Sequence, residues 1–588
     1  MPTLPRLTRH PASMRGAWTG IVASIAAAVG VSATGLACGR APVGHRSATG
    51  GGTVVIATAG DAESLVPPLV SGVTADQVAD LVFEPLAEIG PALNTVGDAG
   101  FRPRLARTWR WAADSLSIAF ALDPRARFHD GTPVRAADVR FTFQLYRDPA
   151  TGSPLAADLA DIDSVTARDS LTAVFWFRRR SPDQFYAAVY PLRILPAARL
   201  RGIAPAALGQ SAFARAPVGS GPFRFAARTP GSQIEVVADT NYHLGRPLLD
   251  RVVWSVTPDP AAAVARMLTG DADVYEAIRP EQIGAMAHRP TLRTLTYPGL
   301  YEGYLRFNLR DPDAPNPGTI GAPAHPLFGD RALRRALATA LDRRTMVRNV
   351  FDTLAVVSLG PFTHVLPTAD TTVVQPVYDP AAAARALDAL GWRARGPDGV
   401  RVRAGRRLSF TLIAPVSSQT RMRYAVLIQE QLRRVGVEVH VETLEFVAYL
   451  TRLRERRFDA AVDGRLLAPS ARDLWGMWTT AAANAPGGNN TSGYANPAFD
   501  AALDRALAAP TRTAAAPWFH RAYQTIVDDA PVVWLFEPRS TLTVERRLRL
   551  VEVRPDAWWA GMARWSVAPD QAVARDRVGR HEPSPGRP

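Results

Sequence analysis

Residues 116–122, Leu-Ser-Ile-Ala-Phe-Ala-Leu, carry large apolar side chains at every second position, the period of a strand with one face in a core. Thr53-Val54-Val55-Ile56-Ala57 is instead a continuous apolar run, which suits a strand covered on both faces. A helix is predicted over 74–81, leading into Val82-Phe83-Glu84-Pro85-Leu86. After the Asp130-Gly131 turn, a second helix opens near Arg135, with Val139, Phe143 and Tyr146 on one face. Strands are predicted at 162–166, 173–177, 223–227, 234–238 and 252–256, and a helix at 261–268.

The second half reads in the same alphabet. A strand at 305–308 and a Pro/Gly-rich loop over 310–328 precede a helix over 330–343, with Asp330 as its cap and Leu333, Leu337 and Leu341 on one face. A helix over 380–390 follows, and then strand 408–414, helix 424–435, strand 437–441, helix 446–453 and strand 458–462 alternate as in a compact α/β lobe. Helices at 498–507 and 518–527 lead to a buried-type strand, 531–536, that returns to the first lobe. The pattern is α/β throughout, with no fixed-period repeat.

The first residues form no such element. Arg6, His10 and Arg15 precede a soft apolar run over 17–31, and Thr34-Gly35-Leu36-Ala37-Cys38 follows. A basic start, a short apolar stretch and small residues at the break describe an export signal, too short to span a bilayer. Cys38 is the only cysteine, so no internal disulfide supports the fold. Residues 39–52 read as a flexible tether. With 47% hydrophobic and 21% charged residues, the remaining 550 or so suffice for at least two lobes. The formal charge of +14 comes from 68 Lys plus Arg against 54 Asp plus Glu. The arginines are dispersed, which argues against nucleic-acid binding and for a generally basic surface.

Cys38 with its preceding residues resembles a bacterial lipoprotein signal, although Leu36 stands two residues before the cysteine where three are usual. The body carries further motifs in a fixed order. They are Asp80–Leu86, Pro103-Arg104-Leu105-Ala106 with Trp109, Phe128-His129-Asp130-Gly131 through Val139, and Gly219-Ser220-Gly221-Pro222-Phe223. Asn308 and Phe328 with the arginine-rich helix after Asp330 come next, then Asn490, Gly493-Tyr494, Asn496-Pro497 and Phe499-Asp500. Together they resemble the extracytoplasmic solute-binding proteins of peptide and nickel importers, family 5, over about residues 52–555.

That resemblance implies a type II periplasmic-binding-protein-like fold of two α/β lobes with an extra subdomain and a ligand cleft between the lobes. Lobe I would take 52–304 and 522–570, with the insertion at about 99–221. Lobe II would take 305–521, the hinge would lie at about 300–308 and 518–530, and 571–588 would be a disordered tail. It implies a monomeric, non-enzymatic lipoprotein without a cofactor, held through Cys38 on the periplasmic or outer face of the cell membrane. It would pass peptides or a similar small polar solute to an ABC permease and ATPase complex. A sensory or chaperone-like module, or an exported hydrolase, are the other classes.

The candidate ligand contacts are groups able to hold an amine, a carboxylate or a ring. Asp463 and Asp473 offer carboxylates where the family's Asp-Pro loop is absent, and Arg465 and Arg472 offer cations. Phe83, Tyr301, Trp475, Trp478, Tyr494 and Trp534 are candidate cleft walls. His129-Asp130 reads as a turn and not a catalytic pair, since no nucleophile stands at a defined spacing. The ten histidines include no H-x-x-x-H pair, so no metal site is expected. Gly219-Ser220-Gly221 lacks the Lys-Ser/Thr of a phosphate loop, and no G-x-S-x-G elbow is present.

Overall fold

The computed structural model describes residues 51–577, apart from 277, 279, 320, 486, 487 and 510. The stretch expected to be an export signal, Cys38 and residues 39–50 lie outside the described residues. Among the described residues the largest sheet has twelve strands: β1 (Thr53–Thr58), β2 (Phe223–Thr229), β3 (Gln233–Ala238), β4 (Arg251–Val256), β5 (Val274–Glu276), β6 (Leu292–Pro298), β7 (Tyr301–Phe307), β8 (Ala355–Val356), β9 (Ser409–Pro415), β10 (Glu438–Leu444), β11 (Ala460–Leu466) and β12 (Val532–Glu545). Their order is β10–β9–β11–β7–β12–β5–β1–β4–β3–β2, with β6 and β8 also paired to β12.

One half of this sheet is built on β9, β10 and β11, which are mutually parallel. Parallel neighbours need crossovers, and the helices Gln419–Arg434 and Phe446–Arg454 supply them. Ser418 caps the first by accepting the Arg421 N–H at 3.3 Å, and Tyr424, Ala425, Ile428 and Leu432 form its buried stripe. In the other half β1 lies parallel to β4 and β5, and all six of its residues are buried, as its apolar run predicts.

β12 joins the halves. Its first residues pair with β7, through Val532, Val533, Trp534 and Phe536, and its last with β5 and β6. β6 and β7 are consecutive, linked by Gly299-Leu300, so two crossings run side by side, one at residues 298–301 and one within β12. Pro538 sits in the second with no N–H to donate, and Arg539 beside it is exposed. A Cβ on Gly299 would stand 2.8 Å from the Pro538 carbonyl oxygen, so the crossings touch because this residue has no side chain.

The return expected at 518–530 is therefore made later. Residues Arg512–Asp529 are one helix, with Phe519, Ala522, Tyr523, Ile526 and Val527 buried, and β12 crosses only after Phe536. This helix starts six residues before the expected 518 because Thr511 caps it, accepting the Ala514 N–H at 3.2 Å. The helix expected over 330–343 is two, Arg331–Thr339 and Arg343–Phe351. Asp342 accepts the Thr345 N–H at 3.1 Å and so begins the second. Within the tail expected from 571, residues 571–577 are held at one buried residue. Buried Asp576 accepts from Thr53 N and from Val573 N, each at 2.7 Å, and pairs with Arg547 at 2.7 Å.

A four-stranded antiparallel sheet, Ala106–Trp111, Ser117–Leu122, Thr172–Phe177 and Ile162–Ala167 in that order, forms the additional subdomain with helix Ala136–Arg147. Val139, Phe143 and Tyr146 of that helix are buried with Ile118, Phe120 and Phe175. The same core continues into Leu467, Leu474, Met477 and Trp478, which follow β11. The subdomain thus closes against the far half of the large sheet and covers one face of β7, β11 and β12.

Candidate functional site

Alternation along β7 sends Gly303, Leu305 and Phe307 to one face and Glu302, Tyr304 and Arg306 to the other. The first face is core: the Phe536 ring lies where a Cβ on Gly303 would be, and Leu305 and Phe307 pack with Phe328 and Phe410. β11 pairs in register, with Tyr304 opposite Asp463 and Glu302 opposite Arg465, so these polar side chains share the covered face. A bulge in β12 aligns Gly303 with Phe536 and Tyr304 with Trp534. The extra residue leaves Leu535 and Phe536 in the core and Trp534 and Glu537 on the polar side.

Arg306 is the centre of this face and fully buried. Its Nε donates to Asp463 at 2.9 Å, Nη1 to Ser492 Oγ at 3.1 Å and Nη2 to the Tyr304 hydroxyl at 2.8 Å. Its guanidinium also stands 5.0 Å from the Tyr304 ring centre and 5.6 Å from that of Trp478. Arg421 donates to the Tyr301 hydroxyl at 2.9 Å and lies 4.0 Å from Asp463. Arg465 turns to Asp473 at 2.6 Å, and Asp473 accepts the Ala468 N–H at 3.1 Å.

The Glu537 carboxylate pairs with the His364 ring Nδ1 at 2.8 Å and accepts the His364 backbone N–H at 2.9 Å, which raises the imidazole above its usual range. Several buried atoms on this face have no partner: both Glu302 carboxyl oxygens, one oxygen of Glu537, Arg465 Nη1, Trp534 Nε1 and Thr363 Oγ1. Such atoms normally find partners, which makes this face the candidate ligand site. A cavity beside it is lined by Phe362, Leu366, Leu467, Ser470, Leu474 and Tyr523.

Burial, then the Glu537 charge, pushes the Glu302 carboxyl well above the carboxylate range. The folded protein then holds a proton that an unfolded chain, with a glutamate pKa of about 4.3, releases. This contribution is complete below that value and is lost as pH rises through the folded pKa. Replacing Glu302 by Gln is expected to raise the melting temperature of the ligand-free protein. The gain over the parent should grow from pH 4 to pH 8, and a pH-independent difference would contradict the assignment.

The structure brings Asp463, Arg465, Asp473, Trp478 and Trp534 together, with Tyr301 at the start of β7. The Trp478 and Trp534 ring centres are 6.1 Å apart. Trp475 is exposed one turn earlier on the same short helix. Arg472 points across the seam instead, to Asp161 and, at 3.9 Å, to Asp183 of the additional subdomain, while Ser470 Oγ donates to Asp183 at 2.8 Å. These bonds tie the segment after β11 to the additional subdomain. Charge-assisted hydrogen bonds contribute about 1.5–3 kcal/mol each, less for partly exposed groups. Replacing Arg472 by Ala is expected to enlarge the radius of gyration of the ligand-free protein in X-ray scattering, and an unchanged radius would contradict it.

One candidate wall residue is elsewhere. Phe83 is buried against Phe213, with ring centres 6.4 Å apart. It lines a separate pocket with Glu84, Arg104, Arg193 and Trp559. Tyr494 is buried in the same core as Trp478 and Trp534, and its hydroxyl donates to Asp529 at 2.8 Å, tying its loop to a helix end. Sequence reasoning missed Glu302, Arg306, Arg421, His364 and Glu537. A signal for two of them existed: Glu302-x-Tyr304-x-Arg306 places charges at alternate positions of a strand whose other side is apolar. His129 proves to be a tie, its ring nitrogens 3.2 Å from Gly219 N and 3.0 Å from Gly221 O. Among the described residues no group of three or more His, Cys, Asp or Glu is arranged to hold a metal ion.

Comparison with known proteins bears on this cleft. Residues 100–486 match the bacterial extracellular solute-binding proteins, family 5, in their middle region. Protein XP55 of Streptomyces lividans is 30% identical over 82% of this chain and 83% of its own. The oligopeptide-binding protein AppA of Bacillus subtilis (strain 168) is 27% identical over 74% of this chain and 79% of its own. The structure of AppA with a nonapeptide superposes with a TM-score of 0.72 at 24% identity, covering 88% of this chain and 99% of that one. NikZ of Campylobacter jejuni with Ni(L-His) gives 0.71 at 21% identity, covering 87% and 99%. The architecture is that of a type II periplasmic binding protein, two lobes with a ligand cleft between them.

Proposed function

The chain belongs to family 5 of the bacterial extracellular solute-binding proteins, and on that premise we propose that it captures peptides in the interlobe cleft and delivers them to an ABC permease. The observation that carries this reading is the covered face of β7, β11 and β12. Its unpartnered donors and acceptors, Arg465 Nη1, Trp534 Nε1, Thr363 Oγ1 and the two glutamates, suit a ligand that offers amides and charged groups. The aromatic pair Trp478 and Trp534 supplies apolar area beside them. The relative AppA, named for oligopeptide binding, supports the same cargo.

The lobes we assign are 52–298 with 540–577, and 301–536, bending at the paired crossings. Closure around cargo is the whole of the work: the closed state binds better than the open one, and no bond is made or broken. The mature protein acts as a monomer, tethered outside the cytoplasm by lipid on Cys38. An acyl-bearing N-terminal peptide in the mass spectrum of membrane-extracted protein tests that tether, and a free Cys38 thiol would refute it. Cargo capture is tested by thermal shift and X-ray scattering with peptides of two to nine residues. A raised melting temperature together with a smaller radius of gyration is expected. Silence toward all of them, with a response to nickel chelates or sugars, would replace the peptide by another solute.

A further inference from the structure

We propose that Glu302, with Glu537 beside it, forms an anionic subsite on the floor of the cleft that takes an ammonium or guanidinium group of the cargo. This rests on the peptide-capture reading and assigns the charge of the captured group. Each neighbouring charge is already matched. Asp463 holds Arg306 at 2.9 Å, Asp473 holds Arg465 at 2.6 Å, and Glu537 holds His364 at 2.8 Å through one of its two oxygens. Glu302 remains, wholly buried, with neither oxygen bonded, and the second Glu537 oxygen is likewise without a partner. Arg465 stands opposite Glu302 in register, yet its Nη2 is engaged by Asp473 and its Nη1 bonds neither Glu302 nor any other group.

A buried carboxylate without a partner is costly, and a cation brought by the ligand removes that cost. Binding then stores in the complex what the ligand-free protein lacks. Because burial raises the Glu302 carboxyl, a cationic guest displaces a proton from it, whereas a neutral guest leaves it in place. The cation can come from a peptide amino terminus or from a lysine or arginine side chain.

The experiment offers the purified mature protein an equimolar pool of alanine-based peptides, two to nine residues long, in four versions. The amino terminus is free or acetylated, and one residue is lysine or norleucine. The bound fraction is identified by mass spectrometry after gel filtration. At least tenfold enrichment of cation-bearing over acetylated norleucine peptides is expected. The acetylated lysine and free-amine norleucine versions separate the two sources. Glu302→Gln should abolish the enrichment, and Glu537→Gln should weaken it, giving a second reading if the first variant folds poorly. Equal capture of charged and neutral peptides, or an enrichment that survives Glu302→Gln, overturns the subsite and leaves peptide capture standing. Capture of no peptide at all overturns both.

Discussion

Replacing Arg306 by alanine is expected to destabilise the protein by about 3–5 kcal/mol, the usual cost of leaving a buried charge without its partner. Arg306 is 2% exposed, and its removal strands Asp463, Ser492 and the Tyr304 hydroxyl together. It also removes the cation from between the Tyr304 and Trp478 rings, leaving a cavity at the junction of β7 and β11. Urea unfolding followed by tryptophan fluorescence measures the loss, with Trp478 and Trp534 as reporters at the site. The Arg306→Ala, Asp463→Ala double variant should be less destabilised than the sum of the two single changes, because the stranded carboxylate is then gone. A strictly additive cycle, or a loss under about 1 kcal/mol, would mean that the pair behaves like a surface ion pair.

Asp273 is the second large effect. It is completely buried at the start of β5, and its Oδ2 accepts the Val55 N–H at 2.9 Å. Its other oxygen accepts Arg547 Nε at 2.8 Å and also pairs with Arg575. Arg547 in turn donates to Asp576 and to the Thr53 carbonyl oxygen, so one network fastens β1, β5, the end of β12 and the C-terminal segment. Asp273→Ala leaves a buried guanidinium and a strand N–H short of an acceptor, at about 3–5 kcal/mol. The loss should be read first at the C-terminus, as faster proteolysis after residue 550, with Asp273→Asn intermediate because its carbonyl oxygen still accepts one bond. Protease resistance equal to the parent would show that the segment is held by apolar packing of Val567 and Trp565 instead.

Both effects concern residues that join parts of the chain far apart in sequence, and here the reach of sequence reasoning ends. Apolar runs, alternation and 3.6-residue spacing made β1, three of the four subdomain strands, β9 to β11 and their helices legible, because each is set by which local side chains face a core. The glycine-rich turn Gly219-Ser220-Gly221 was legible as a turn too. That it must pack on the backbone of Leu81 and Val82, where any Cβ would collide, was not. Among the candidate contacts, Asp463, Arg465, Trp478 and Trp534 are brought to one face with Tyr494 in the core beside them, whereas Phe83 is taken by a different core. An aromatic residue in a loop carries no local mark of which core it will enter.

By itself the sequence determined the α/β alternation, the cap at Asp330 and the buried character of β1, since these depend on neighbours within about one helical turn or two strand positions. Only the tertiary structure decided that β12 runs on past Phe536 to cross between the sheet halves, that its bulge turns Glu537 toward Glu302, and that Arg465 bends away to Asp473. Those outcomes depend on hydrogen-bond register between strands more than 150 residues apart, and a shift of one residue would have sent every one of these side chains to the opposite face.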